Sequence, residues 1–301
     1  MTLKFWKKGS YSGGALAHTL AAVRGRKMLG AYEVERELGR GSMGIVYLGR
    51  EPGSGREVAI KTVNLQAVLG QDNWEEARER YVFGVKTLAG LYHPDIVKYY
   101  DVWEEQGGMY VAMEYLGGVE LTEYEKPGHL LPLADLLGII ARVADALGYT
   151  HGKLIVHRDI KPANIMYDAA RDQVKLVDFG IARPVNHAAT RQGVVVGSPP
   201  YMSPEQVLGK LMDGRSDLFA LGSTFFRLAT GRLPFEADSE FTIMYKIVQD
   251  APLDIASLRP DIPGCVRAVV ERALAKDVGQ RFQSGHEMAE AMRRCRAEIA
   301  G

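Results

Sequence analysis

The 301 residues predict an α+β chain in two parts, a small strand-rich front and a larger, mostly helical back. Between Tyr32 and Tyr115, short β-branched and aromatic runs alternate with Gly/Pro turns, the mark of strands joined by tight connections. After Gly117-Gly118 the apolar residues fall at helical spacing instead. With 47% hydrophobic and 25% charged residues, the chain can bury one large core or two ordinary ones.

The front begins with Tyr32–Leu38, which alternates loosely, then a glycine-rich turn, then the strand-like run Ile45–Gly49. Pro52-Gly53-Ser54-Gly55 is a turn, and Glu57–Val63 reads as the next strand. Asp72 or Asn73 can cap a helix that runs from Trp74 to about Leu91. Two further strands, Val97–Glu104 and Tyr110–Tyr115, flank the turn Gln106-Gly107-Gly108. In the back, Leu133, Leu136, Leu137, Ile140, Val143, Ala144 and Leu147 repeat with the period of a packed helix. A loop-and-strand stretch from His157 to Pro204 interrupts the helical pattern.

Composition excludes several classes. Average apolar and charged fractions argue against disorder and repeats. Lys+Arg and Asp+Glu number 37 each, so net charge gives no reason to expect a nucleic-acid partner. Cys265 and Cys295 form neither a disulfide framework nor a metal spacing, which favours a reducing, cytoplasmic compartment. No apolar run reaches membrane-spanning length. The balance of charge is a cancellation, however. Residues 1–30 hold six bases (Lys4, Lys7, Lys8, Arg24, Arg26, Lys27) and no acid, leaving 31 bases against 37 acids beyond. Read plainly, residues 1–30 are a flexible arm; the sharper reading is a segment drawn to an anionic lipid surface or back onto its own domain.

Three motifs carry chemistry. Gly39-Arg40-Gly41-Ser42-Met43-Gly44 is a GxGxxG leading into the strand Ile45–Leu48. A dinucleotide site needs such glycines to open a helix, so a hairpin folding bare backbone over phosphates fits better. Val58-Ala59-Ile60-Lys61 sets a lysine in an apolar strand, where burial favours an anionic partner. His157-Arg158-Asp159-Ile160-Lys161-Pro162-Ala163-Asn164 is followed by Asp178-Phe179-Gly180, fourteen residues after Asn164. Phosphoryl transfer needs a carboxylate for the hydroxyl proton, a cation by the transferred phosphate and oxygen ligands for Mg2+. Asp159, Lys161, Asn164 and Asp178 supply all three in two short loops.

On these motifs the sequence resembles the eukaryotic-like (Hanks-type) serine/threonine protein kinases of bacteria, over about Tyr32–Ile299. Tyr201-Met202-Ser203-Pro204-Glu205-Gln206, Asp213–Gly222 and Arg281 resemble further landmarks of that family. The resemblance implies a bilobal kinase fold, with a domain at 31–301 (N-lobe 31–116, C-lobe 117–301). It implies ATP with Mg2+ or Mn2+, and protein substrates bearing Ser or Thr. Gly39, Gly41 and Gly44 would cover the phosphates that Lys61 holds, and Leu38 before them would also bind the nucleotide. Val46 and Ala59 would roof the adenine, with Met166 as floor, Met113 as gatekeeper and Glu114, Tyr115 and Leu116 as hinge. Asp159 and Lys161 would serve catalysis, and Asn164 and Asp178 would hold the metal.

One part departs from the pattern. The family pairs its strand lysine with a helix Glu nine residues before His-Pro, and here Gly84 stands nine residues before His93. Counting forward from Lys61 lands instead near Glu79. On one helix the two positions lie about 140° apart, so both cannot serve. The unbroken pattern into Leu88 and Leu91 favours loss of the acid at Gly84 and a low basal activity. Arg158 beside Asp159 implies control by a phosphorylated loop residue, for which Thr190 is best placed. Ser198 is expected to bond Asp159 and Lys161. The alternatives are a nucleotide-binding pseudokinase acting by docking, and small-molecule phosphotransfer. Physiological substrate, upstream signal and oligomeric state lie beyond the sequence.

Overall fold

The computed structural model describes residues 28–41, 44–63, 74–105, 107–126, 128–181, 190–191, 194–195 and 198–300. These fall into two compact units, one reaching to Tyr92 and including Val97–Gly117, the other formed by His93–Ile96 and Gly118–Gly301. Most of the segment read as an arm, residues 1–27, lies outside the described residues, as does the Asp72/Asn73 cap.

The first unit is built on a six-stranded antiparallel sheet, β1 (Met28–Leu29), β2 (Tyr32–Gly41), β3 (Gly44–Arg50), β4 (Glu57–Val63), β5 (Tyr99–Glu105) and β6 (Gly108–Glu114), in the order 1-2-3-4-6-5. β1 lies inside the stretch assigned to the arm and pairs with β2. A two-residue strand has no period for a sequence to display. Pairing sets the faces of the sheet: Tyr47, Ile60 and Ala112 are aligned on one side, packed with Leu29, Tyr32, Ile45, Val58 and Tyr110. Trp103 stacks on Tyr110, with ring centroids 5.5 Å apart. The opposite side carries Val46 against Lys61, and Leu48 against Ala59 and Met113.

The one helix among the described residues of this unit, α1 (Trp74–Ala89), has acids in its first turn and Lys86 in its last, matching the helix dipole. Ala77, Tyr81, Val85 and Leu88 are its buried stripe. It stops two residues short of Leu91, where Gly90 forms a turn.

In the second unit, β7 (Val119–Glu120), β8 (Ile165–Asp168) and β9 (Gln173–Leu176) form a small antiparallel sheet. α2 (Leu133–His151) fulfils its apolar period, with Leu136, Leu137, Ile140, Val143, Ala144 and Leu147 buried. Full burial contributes roughly 1.5–3 kcal/mol for each large aliphatic side chain. The hairpin β10 (Thr190–Arg191) and β11 (Val194–Val195) is followed by the short α3 (Pro204–Val207), then α4 (Gly214–Thr230), α5 (Glu240–Gln249), α6 (Ile255–Leu258), α7 (Gly264–Ala273) and α8 (Gly285–Ala300). α8 lies along α2 so closely that a Cβ at Gly285 would sit 2.1 Å from the Ala144 carbonyl oxygen. Only glycine permits that approach.

Candidate active site

Within the second unit, the loop after α2 gathers the residues expected to do chemistry. Asp159 is the centre. Its Oδ2 lies 3.0 Å from the Lys161 ammonium and accepts from Asn164 Nδ2 at 3.1 Å. Its Oδ1 accepts from the Ser198 hydroxyl at 3.2 Å, and Ser198 Oγ accepts from Lys161 Nζ at 2.8 Å. Asn164 also donates to the Asp159 carbonyl at 2.7 Å, tying the two ends of the loop together. The carboxylate is thus fixed by three side chains, and Ser198 bonds both charged partners.

A layer beneath holds the loop in place. Asp217, near the start of α4 and 1% exposed, accepts from the backbone N–H of His157 and of Arg158, each at 2.8 Å. Arg158 sits at φ 68°, a left-handed conformation that a non-glycine residue adopts only when its surroundings enforce it. His157 is fully buried, and its burial lowers the imidazole below its ordinary value. The neutral ring donates from Nε2 to the Val177 carbonyl at 3.0 Å and accepts at Nδ1 from the Asp159 N–H at 3.3 Å. Its ring packs on Phe179 at 4.4 Å. The His-Arg-Asp string is therefore one device: the histidine and Asp217 shape the turn that presents Asp159.

Asp178 also has positive φ, 56°. The Val177 N–H donates to the Asn164 carbonyl at 2.9 Å, so Asp178 follows directly on a residue bonded to Asn164. Among the described residues no three His, Cys, Asp or Glu side chains gather into a metal cluster. Two oxygen donors, an amide and a carboxylate, suit Mg2+, which keeps most of its shell for water and substrate phosphate.

In the first unit, Lys61 is 7% exposed. The register puts Val46, Lys61, Ala59 and Met113 on one face of the sheet. β2 and β3 pair as far as Gly41 opposite Gly44, with Gly39 opposite Val46, so the glycines form the end of a hairpin. Gly44 has φ 147°, and a Cβ there would meet the Thr62 carbonyl oxygen at 1.9 Å. Backbone bare enough to pass Thr62 is what a phosphate cover needs. Leu38 lies in β2, while Tyr115 and Leu116 leave β6 after Glu114, whose N–H donates to the Lys98 carbonyl at 2.8 Å. Met166 is half-buried in β8.

Glu79 and Gly84 both lie within the uninterrupted α1. Glu79 is exposed and lies about 165° round the helix from the middle of the buried stripe. Gly84 is half-buried, about 55° from that middle. Thr190 pairs with Val195 in the β10–β11 hairpin.

Two supports escaped the sequence reading. His151, at the end of α2, bonds Asp217 at 2.8 Å. Gln206 reciprocates the Ser203 cap of α3 and reaches the Arg158 carbonyl at 3.4 Å. The S-x-x-Q spacing could have revealed the capping box; nothing local points His151 at a residue 66 positions away.

The first unit thus holds a glycine hairpin and a strand lysine, and the second an Asp-Lys-Asn loop held by a buried Asp. Residues 32–292 match the family model described as the protein kinase domain, and the chain belongs to that family. It is 40% identical over 297 residues to the serine/threonine-protein kinase PksC of Streptomyces coelicolor, covering 95% of this chain and 50% of the relative. It is 36% identical over 265 residues to PrkC of Bacillus subtilis, named a serine/threonine-protein kinase, covering 88% and 40% respectively. PknB of Mycobacterium leprae, with the same description, is 36% identical over 263 residues, covering 85% and 42%. The chain spans 40–50% of the length of these relatives. Among the described residues, no helix is long and apolar enough to cross a membrane.

Proposed function

We propose that the chain is a serine/threonine protein kinase that transfers the γ-phosphate of ATP to protein hydroxyls, its own included. The observation that carries this reading is the fixed Asp159 carboxylate, bonded by Lys161, Asn164 and Ser198. Nucleotide binding alone has no use for a carboxylate so placed.

The roles divide as follows. Asp159 orients the substrate hydroxyl and accepts its proton. Lys161, two residues on, places its ammonium beside that carboxylate and neutralises charge on the phosphate in flight. The Gly39–Gly44 hairpin offers backbone N–H groups to phosphate oxygens, and Lys61 holds the α- and β-phosphates. Asn164 and Asp178 hold Mg2+, which when bound offsets the negative charge of the phosphates. Leu38, Val46, Ala59, Met113, Glu114 and Leu116 make the adenine-binding set of the first unit; Met166 is the candidate for that role in the second. Thr190 receives a regulatory phosphate, with the Arg158 guanidinium as its partner.

The position of Gly84 in a helix interior supports a further step: basal activity is low, with α1 as the control point. Glycine there costs about 1 kcal/mol relative to alanine. It also carries no carboxylate toward the strand lysine. A phosphotransfer assay with a basic protein substrate, ATP and Mg2+ tests both levels. Wild type transfers phosphate to Ser or Thr, and Gly84→Glu raises the rate roughly tenfold, the worth of one charge-assisted contact of about 1.4 kcal/mol. Equal rates would show that position 84 does not control the activity. Nucleotide binding without transfer in either protein would favour the pseudokinase reading.

A further inference from the structure

We propose that Cys265 and Cys295, the two cysteines of the chain, form a thiol pair that hydrogen peroxide converts into a reversible disulfide between α7 and α8. Their spacing of 30 residues gives no sign of partnership; the fold supplies it.

Two contacts define the seam between these helices. Arg272, in the last turn of α7, forms an ion pair with Glu287, in the first turn of α8. At the other end of the seam the Cys265 and Cys295 side chains are in hydrogen-bond contact. Cys265 lies seven residues before Arg272, and Cys295 lies eight after Glu287. Those steps cover about 10 and 12 Å along the two axes, so both contacts fit one antiparallel pairing. Cys295 continues the buried row of Met288 and Met292 on α8 and is 3% exposed. Cys265 stands one turn before the buried Val269 on α7 and is half-buried. Helices packed about 8–10 Å apart bring facing Cα atoms into the roughly 4.4–6.8 Å range that a disulfide spans. Burial alone would make Cys295 an inert small hydrophobe. The second sulfur, on its solvent side, is what makes chemistry available.

The two sulfurs take different parts. Cys265 is the one that solvent reaches. Burial, with the neighbouring sulfur, pushes the Cys295 thiol up to about 12, so it stays protonated and does not meet the oxidant first. The Cys265 thiolate attacks a peroxide oxygen, the O–O bond breaks, and a sulfenic acid and water form. The Cys295 sulfur then attacks the Cys265 sulfur and the S–O bond breaks. The Cys295 proton leaves with the displaced hydroxide as water. Contact between the sulfurs supplies the high effective concentration that this second step needs. In sum, two thiols give up two electrons and two protons, and one hydrogen peroxide becomes two waters. A dithiol reductant restores both thiols by exchange. The span so closed, 265–295, contains Arg281, whose guanidinium holds Glu205 of α3. The disulfide is thus a clasp on the segment that anchors that pair.

The test uses the full chain, reduced, freed of reductant and treated with hydrogen peroxide without nucleotide, so its outcome is independent of the kinase reading. Digestion and mass spectrometry should find the Cys265 and Cys295 peptides joined within the monomer, lighter by two hydrogens, and separated again by dithiothreitol. The cross-linked chain should unfold roughly 5 °C higher than the reduced one. In Cys295→Ser the oxidation should stop at the Cys265 sulfenic acid, which a cyclic diketone should trap about tenfold more than in wild type. In Cys265→Ser, Cys295 should remain a free thiol at the same dose of peroxide. Sulfenic or sulfinic acid at Cys265 of the wild type without the cross-link overturns the proposal. Disulfides found only between two chains overturn it as well, as does equal trapping in wild type and Cys295→Ser. An unfolding temperature that does not rise on cross-linking would contradict the clasp.

Discussion

Asp159→Asn is expected to lower kcat for phosphotransfer by about 10²–10⁴, the usual contribution of a positioned proton acceptor. That corresponds to about 2.7–5.4 kcal/mol of lost transition-state stabilisation. The fold should survive, because the site can accommodate the amide. An asparagine can turn its carbonyl oxygen to the Lys161 ammonium, which lies 3.0 Å from the native Oδ2. Its amide can donate to Ser198 Oγ, which now donates to Oδ1 at 3.2 Å. The substitution removes the proton acceptor while leaving the hydrogen-bond count nearly intact. Unfolding temperature and nucleotide affinity should therefore stay close to wild type while turnover collapses. Collapse of all three together would make Asp159 a structural residue.

Arg281→Met is expected to produce the largest loss of stability. Arg281 is fully buried, and its two terminal nitrogens donate to the two Glu205 oxygens at 2.7 and 2.8 Å. Its Nε donates to the Ala275 carbonyl, and Ser216 donates to Glu205 Oε1 at 2.6 Å. Removing one member strands the other as a buried charge, which costs about 3–5 kcal/mol. Against a total stability of about 5–15 kcal/mol, that is enough to leave a substantial fraction unfolded at 37 °C. Glu205→Gln/Arg281→Met should recover part of the loss, because no isolated charge then remains.

The pair also carries a pH signature. Burial by itself raises the Glu205 pKa, but the bonds from Arg281 and Ser216 outweigh it and hold the carboxyl below its ordinary value. A folded-state pKa below the unfolded one means that the stabilisation is present above about pH 4.5 and is lost as pH falls through the folded value. In Arg281→Met the sign reverses. Burial without a counter-charge raises the Glu205 pKa, so protonation relieves the variant as pH falls. The gap between wild type and variant in chemical denaturation should narrow from pH 7 toward pH 4. A gap independent of pH would show that the cost is packing rather than charge.

Local strings made most of the candidate site legible in the sequence. Glycines that lead into β-branched residues, a lysine in an apolar run and carboxylates at fixed spacing are properties of a few consecutive residues. The strand Glu57–Val63 and the α2 period were readable for the same reason. What local pattern does not hold is partnership across the chain. β1 exists because Met28 and Leu29 pair with Glu33 and Tyr32, not because Met-Leu reads as a strand. His151 supports Asp217 only once the fold brings them together. Glu79 and Gly84 differ in helix phase. The sequence established that the two could not share a face; the phase itself, with Glu79 away from the buried stripe, needed the packing of Ala77, Tyr81, Val85 and Leu88.

Phosphoamino-acid analysis after incubating the full chain with γ-labelled ATP, Mg2+ and a basic protein substrate tests the central claim most directly. Label should appear on Ser and Thr, vanish when a chelator removes the metal, and fall at least a hundredfold in Asp159→Asn. Label on tyrosine alone, or no label from a chain that binds ATP, would contradict it.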